Sequence, residues 1–197
     1  DEAAAWLTEY LGRECRLVRH AGDGARGDLR READPAFAAG AGEAPVGFAD
    51  GFPLLLVSQG SLDALNARLE EEGQPPVPMD RFRPNIVVGG CAAFDEDAWG
   101  AFSIAGEEFR SVKPCSRCQI PDTDQQRGQR ASSAVSRALA QFRRGADLQF
   151  PEQSWQRAVF FGWNVVAAGP AAGKALSVGD AVAVASRRRW GDPGAAG

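Results

Sequence analysis

Apolar residues recur at helical spacing in three segments of the chain. The first helix is predicted over residues 1–11 and stops at Gly12. The second is predicted to take Ser61 as its N-cap and to end at Gly73. The third covers residues 131–143.

Short apolar runs without that spacing predict β-strands. These strands cover residues 15–18, 53–57, 86–88, 102–104, 108–112, 159–167 and 181–185. Ala105, Gly106 and Glu107 join two of them, and a turn at 177–180 introduces the last. Many short strands with few helices indicate an α+β, mainly β class or a barrel, and not a βαβ sheet.

The organisation predicted from these segments is a single domain over residues 1–197. Residues 21–46 are rich in Gly, Ala, Asp and Arg, which predicts a long mobile loop. An entry helix and strand (1–20) precede this loop, and the barrel core (47–186) follows it. The last segment, 187–197, is interpreted as a solvated tail because it begins with three arginines.

Composition narrows the function classes. The net charge of −4 argues against a nucleic-acid partner, which would need clustered excess Lys and Arg. Four unevenly spaced cysteines favour an intracellular, reducing compartment, either cytoplasm or an organelle. No apolar stretch approaches the roughly 20 residues of a membrane span. Because the chain opens at Asp1 within a helical pattern, we expect residues before it.

The strongest candidate chemistry is the run Lys113-Pro114-Cys115-Ser116-Arg117-Cys118. A thiolate is the nucleophilic and metal-binding form of cysteine, and neighbouring positive charge favours it. A structural zinc site, a thioredoxin-like redox pair and two inert buried thiols remain alternatives. The reading we favour is one thiolate that binds a soft metal or attacks an electrophile, with the second thiol nearby.

Two further runs are candidates for ligand binding. In Arg81-Phe82-Arg83-Pro84-Asn85, Pro84 is predicted to hold Arg83 in an extended conformation, and a guanidinium suits bidentate phosphate binding. A salt-bridged surface explains the same residues. In Phe161-Gly162-Trp163-Asn164, a glycine inside an apolar strand marks either close approach of a ligand or backbone, or a bulge.

These motifs, taken in order, resemble the MOSC domain, which occurs at the C-terminus of molybdenum-cofactor sulfurases and in amidoxime-reducing proteins. The motifs are 48–51 (FADG), 82–85 (FRPN), 95–99 (DEDAW), 115–118 (CSRC), 161–164 (FGWN) and 178–180 (VGD). The resemblance runs from Trp6 to about Val184. It implies a closed complex β-barrel with peripheral helices and the molybdenum cofactor, a pterin dithiolene that carries a phosphate.

The resemblance also implies a site. Cys118 would be the catalytic residue and the metal ligand. The cofactor-binding set would be Arg83, Asn85, Ser116, Arg117, Asn164, Asp50 and Gly51. Family members usually carry an N-terminal barrel segment with another arginine for the cofactor, and neither is present in this sequence.

Two functions follow from the resemblance. The first is a molybdenum-dependent oxidoreductase that reduces N-hydroxylated small molecules such as amidoximes. Its electrons would come from a separate redox protein, either cytochrome b5/reductase-like or ferredoxin-like. The alternative is the cofactor-binding carrier domain of a molybdenum-cofactor sulfurase, whose pyridoxal-phosphate domain would lie outside this sequence.

Overall fold

The computed structural model describes residues 1–19, 46, 48–130, 132–168 and 175–187. The α-helices are α1 (Glu2–Leu11), α2 (Gln59–Glu71) and α3 (Ala134–Leu139). The strands are β1 (Leu54–Ser58), β2 (Ile86–Val88), β3 (Ala101–Ile104), β4 (Glu107–Ser116), β5 (Thr123–Asp124), β6 (Gln129–Arg130), β7 (Phe160–Ala167) and β8 (Val182–Val184). Short 3₁₀ helices cover Met79–Phe82, Asp95–Ala98, Ile120–Asp122 and Gln153–Trp155.

Six strands form one nearly closed, barrel-like sheet in the order β2-β1-β7-β4-β3-β8. The pair β1 and β2 is parallel and is connected through α2, whereas every other pairing in the sheet is antiparallel. The remaining two strands, β5 and β6, form a separate hairpin. The predicted mainly β fold with peripheral helices is therefore confirmed.

The core is divided between the two faces of this sheet. Leu56, Trp163 and Val165 belong to a cluster that receives residues from all six strands and fills the interior. Val57 and Phe161, on the same two strands, point to the outer face, where the leucines of α2 and α3 cover them. Each fully buried leucine contributes about 1.5–3 kcal/mol of hydrophobic stabilisation, so the helices are held on the outer face mainly by this packing.

The hairpin between β3 and β4 is tighter than predicted. Its turn consists of Ala105 and Gly106, with φ of 51° and 81°, which is the pattern of a type I′ turn that matches strand twist. The predicted strand over 108–112 is too short, because β4 extends to Ser116 and includes Cys115, whereas Cys118 follows the strand.

The predicted helix boundaries need two corrections. The N-cap of α2 is Ser58, whose hydroxyl accepts the N–H of Ser61, so the helix begins earlier than predicted. The third helix is only six residues long. At its start the buried carboxylate of Asp122 accepts hydrogen bonds from the N–H and hydroxyl of Ser136.

The predicted strand at 15–18 is wrong, since these residues are irregular. The main chain of Cys15 is instead satisfied by the Thr8 hydroxyl, which bonds both its N–H and its carbonyl at 3.2 Å. The predicted loop at 21–46 lies outside the described residues except for Val46, which is buried. Arg187 is not a free tail residue, because it pairs with Trp99 and with the Asp95 carboxylate.

Candidate functional site

The strand β4 meets β7 through two register shifts beside the cysteine run. Pro114 pairs with Trp163 and Ser116 pairs with Phe160, so two residues of β7 oppose Cys115 alone. One of them is Gly162, whose φ is +76° and whose added Cβ would lie 2.7 Å from the Leu56 carbonyl oxygen. Only glycine fits such a bulge, and the close approach predicted at Gly162 is an approach of backbone.

One row of residues crosses the outer face next to this bulge. Asn164 pairs with Leu55 on one side and with Lys113 on the other. The Asn85 side chain extends the row, because its Oδ1 accepts the N–H of Leu55 at 2.8 Å. Since alternate residues of a strand share a face, Cys115 lies on the same face as Lys113. The predicted residues Asn85 and Asn164 therefore lie in one row, on opposite sides of Leu55 in β1.

Arg117 joins the two motifs that carry the resemblance. Its Nη1 donates to the Cys115 sulfur at 3.1 Å and its Nη2 donates to the carbonyl oxygen of Phe82 at 3.0 Å. The guanidinium carbon also lies 5.4 Å from the centre of the Phe82 ring. The Nε atom is buried and has no hydrogen-bond partner within the described ranges. Arg117 thus brings Cys115 within reach of the segment that contains Arg83.

Cys118 and Ser116 are both exposed, whereas Cys115 is half-buried. Cys118 lies at the rim of a cleft of about 130 Å³. This cleft is lined by Arg117, Cys118, Gln119, Pro121, Ser136, Leu139 and Val159. The structure therefore gives the two thiols different surroundings: Cys115 accepts a hydrogen bond from a guanidinium, and Cys118 opens onto a mostly apolar cleft.

Arg83 corrects the predicted backbone of its motif. Its φ of 56° and ψ of 44° lie in the left-handed region, not the extended one, because Arg83 caps the 3₁₀ helix Met79–Phe82. Its N–H donates to the Asp80 carbonyl at 3.0 Å. Such a conformation costs about 1–3 kcal/mol for a residue other than glycine and clusters at functional sites. The side chain is exposed, and no ion pair joins its guanidinium to another residue of the described chain.

Asp50 and Gly51 lie apart from the cysteine run. Both are exposed, in the loop before β1. Their neighbours Ala49 and Phe52 pack against a small cluster that contains Val112 and Val166. The loop therefore packs beside Val112 of β4 and Val166 of β7, and it does not line the cleft at Cys118.

Sequence reasoning assigned no role to a second polar cluster, at the ends of the parallel strands β1 and β2. The buried Glu96 accepts hydrogen bonds from the Ser61 hydroxyl at 2.6 Å and from the Ser58 N–H at 3.2 Å, both at Oε1. Its Oε2 is buried and has no hydrogen-bond partner in the part of the chain that the structure describes. The acidic run 95–97 was visible as a motif, but nothing local indicated that its middle carboxylate would be buried.

Cys91 lies beside this cluster, and its pKa is raised. Burial is the largest cause, followed by the Glu96 and Asp95 carboxylates, while a hydrogen bond with Ser58 opposes them. Raised thiol pKa values disfavour the thiolate. Within the described ranges, no three His, Cys, Asp or Glu side chains are grouped so that they could hold a metal ion.

Comparison with known proteins places this fold in a family. Residues 43–183 match the model of the MOSC domain, a range that contains β1 to β7 and the start of β8. The chain belongs to the MOSC domain family. Its resemblance to that family, stated above from the motifs, is confirmed.

Several curated relatives of this MOSC chain are similar over most of the matched region. A molybdenum cofactor sulfurase from Arabidopsis thaliana is 31% identical over 146 residues, which are 71% of this chain and 18% of the relative. Mitochondrial amidoxime reducing component 2 from Bos taurus is 34% identical over 129 residues, which are 65% of this chain and 36% of the relative. Mitochondrial amidoxime-reducing component 1 from Mus musculus shows the same identity and coverage. The chain spans less than two fifths of the length of these relatives.

Helices in the described ranges are too short or too polar to cross a bilayer.

Proposed function

We propose that this MOSC domain binds the molybdenum cofactor, with the Cys118 thiolate as the protein ligand to the metal. The observation that carries the proposal is the placement of one exposed thiol at a cleft, next to a motif that presents the exposed Arg83 guanidinium, which forms no ion pair with the described residues. Thiolates are ligands for soft metals, and guanidinium groups bind phosphate.

The residues present fit such a group chemically. Arg117 supplies a buried Nε–H to which no described residue offers an acceptor, and Arg83 supplies a second cation. The cleft at Cys118, about 130 Å³, is smaller than the 300–1,000 Å³ of ordinary ligand pockets. It therefore suits the metal end of a ligand, and the remainder would extend over the exposed residues Arg83 and Asn85.

Each side chain has a separate part in this proposal. Cys118 holds the metal, and Ser116 lines the site beside it. Arg83 neutralises the anionic end of the ligand, while the amides of Asn85 and Asn164 and the loop at Asp50 and Gly51 bound the rest. When bound, the cofactor would supply a metal that changes oxidation state and accepts the oxygen of an N-hydroxylated substrate. The protein's own contribution is binding, orientation and electrostatics.

We further propose that the protein acts as a reductase of N-hydroxylated small molecules such as amidoximes. Two of the relatives are named for amidoxime reduction, and the electrons would come from a separate redox protein of the cytochrome b5/reductase or ferredoxin kind. All four cysteines are free, which supports an intracellular, reducing compartment.

A carrier domain of a molybdenum cofactor sulfurase is the second candidate. The sulfurase from Arabidopsis thaliana aligns with 71% of this chain, more than the 65% aligned with the two amidoxime reducing components. Reduction of benzamidoxime by the molybdenum-loaded protein with a chemical electron donor would favour the reductase. Molybdenum binding without reduction would favour the carrier.

The cofactor proposal is tested by molybdenum and pterin content after purification from a cofactor-producing host. We expect near-stoichiometric molybdenum in the wild type and at least a tenfold loss in Cys118→Ala, because the metal loses its thiolate. Cys115→Ala should retain part of the metal. Cys15→Ala, which removes a thiol outside the proposed site, should retain all of it. Equal retention in Cys118→Ala and Cys15→Ala would exclude Cys118 as the ligand.

A further inference from the structure

The 3₁₀ turn before Arg83 is held from outside by the β5–β6 hairpin. Arg81, which is only 11% exposed, places its Nη2 3.5 Å from Oδ2 of Asp124. The adjacent Gln125 donates from Nε2 to the Asp80 carbonyl oxygen at 2.8 Å. That carbonyl also accepts the N–H of Arg83. The hairpin therefore contacts the same peptide group that closes the left-handed turn.

The inner side of this turn is held by different groups. Phe82 is 1% exposed and its ring lies 4.2 Å from that of Phe161. Its carbonyl oxygen accepts a hydrogen bond from Arg117. All three residues that precede Arg83 are thus restrained, while the Arg83 side chain itself stays exposed. This arrangement is typical of a preorganised binding group, because the conformational entropy of the backbone is lost on folding and not on ligand binding.

We propose that Asp124 and Gln125 are positioning residues, which hold the left-handed turn so that the Arg83 guanidinium faces an anionic ligand. That the ligand is the phosphate-bearing cofactor rests on the proposed function. The holding of the turn by the hairpin does not, and it can be measured in cofactor-free protein.

The Asp124 carboxylate offers a selective substitution. Its Oδ1 accepts the N–H groups of Gln126 and Arg127, both at 3.1 Å, and so shapes the hairpin loop. Its Oδ2 faces Arg81. Asp124→Asn keeps one carbonyl oxygen for the loop and removes the charge that pairs with Arg81. Arg127→Ala is a matched control, because Arg127 is exposed on the same loop and, within the described residues, contacts Asp124 only through its main-chain N–H.

The first readout is hydrogen exchange of single amides in the full cofactor-free chain. In Asp124→Asn and in Gln125→Ala, the amide of Arg83 should exchange about two- to fivefold faster, the range expected for loss of one partly exposed polar contact. Amides of α2 should not change. Asp124→Glu should restore the slow rate, and Arg127→Ala should match the wild type. Adding Arg81→Gln to Asp124→Asn should give no further increase, because both remove the same ion pair.

The second readout is the rate at which bound molybdenum is lost during dialysis of the loaded protein. It should rise by a similar factor in Asp124→Asn and stay at the wild-type value in Asp124→Glu. A merely structural role would also speed exchange throughout α2, and that result would overturn the proposal. An unchanged Arg83 amide in Asp124→Asn would overturn it as well. If the wild type held no molybdenum while the Arg83 amide still responded, the proposed function would fail and the role of the hairpin would stand.

Discussion

Two regions of this protein place charged groups beside a cysteine, and the charges differ in sign between the regions. The acidic region comprises Ser58, Cys91, Asp95 and Glu96, and the cysteine loop comprises residues 115–119. In the acidic region, burial and two carboxylates raise the pKa of Cys91. In the cysteine loop, the Arg117 guanidinium donates a hydrogen bond to the Cys115 sulfur, and Cys118 is exposed beside it.

The difference teaches that the surroundings of a thiol, and not its presence, decide its chemistry. Both regions lie at strand ends, and each contains a buried polar atom that has no hydrogen-bond partner among the described residues, Glu96 Oε2 in one and Arg117 Nε in the other. Burial and nearby carboxylates disfavour ionisation of the Cys91 thiol, whereas Cys118 is exposed at a cleft, where its sulfur is accessible to a soft metal. The comparison therefore favours the cysteine loop over the acidic region for the proposed metal ligand.

The largest expected effect comes from breaking the acidic region at Glu96. Its carboxylate accepts two hydrogen bonds where the first turn of α2 meets β1. Glu96→Ala would leave the Ser58 N–H without its acceptor and should lower the free energy of unfolding by about 1–3 kcal/mol, measured by urea denaturation. Glu96→Gln, which keeps an oxygen at that position, should lose less. Equal losses in the two variants would show that packing, and not hydrogen bonding, is what Glu96 provides.

A smaller effect is expected in thiol reactivity. At pH 7 iodoacetamide should alkylate Cys118 several-fold faster than Cys91, because the Cys91 thiol has a raised pKa and is half-buried. The rates are read for each cysteine from peptide masses during one time course, with Cys15 as the internal reference.

The same time course sharpens the comparison in Glu96→Gln. Removing that carboxylate should speed alkylation of Cys91 without bringing it to the rate of Cys118, since burial is the larger cause of the shift. A rate at Cys91 that matched Cys118 in the wild type would remove the contrast between the regions.

The smallest expected effect is a pH-dependent one at Asp95. Hydrogen bonds from Arg187 and then from Trp99 lower the pKa of Asp95 below its ordinary 3.8. Because the pKa of Asp95 is lower in the folded state, its carboxylate stabilises the fold at pH values above 3.8, the ordinary pKa. This stabilisation is lost as the pH falls through the lowered pKa of the folded protein. Asp95→Asn should therefore have a lower Tm than the wild type at pH 7, with the gap closing below pH 3.8.

Arg187→Gln provides the matched test of that ion pair. It should lower Tm at pH 7 in the same direction, and 1 M salt should reduce the difference because the pair is partly exposed. A gap in Tm that stayed constant down to pH 2 in both variants would show that the charge of Asp95 does not contribute.

Much of the fold was predictable because its signals are local. The leucines of α2 follow helical spacing, and the apolar runs of β1 and β7 have the length of buried strands. The wrong predictions at 15–18 and at the start of α2 each depend on the hydrogen bonds of a single side chain. At 15–18 a single side chain, Thr8, satisfies the main chain that would otherwise need a neighbouring strand. At Ser58 the serine three residues before the predicted cap took that role.

The candidate site was predictable as a set of residues and not as an arrangement. The spacing of Cys115, Arg117 and Cys118 indicated thiolate chemistry, but it could not show that Arg117 would reach the Phe82 carbonyl, 35 positions earlier in the chain. Pro84 predicted an extended Arg83, yet the cap of the 3₁₀ helix set a left-handed one. The hydrogen bonds of the folded chain overrode a preference of the single dipeptide.

The sequence alone determined the class of fold, the family resemblance and the residue types available for chemistry, because periodicity, turn residues and motif spacing are written along the chain. Only the tertiary structure decided which thiol accepts a hydrogen bond from a guanidinium, which carboxylate is buried and which arginine has no ion pair among the described residues. Electrostatic surroundings depend on distances of a few ångströms between segments that are far apart in sequence. Such distances exist only after the sheet has closed around its core.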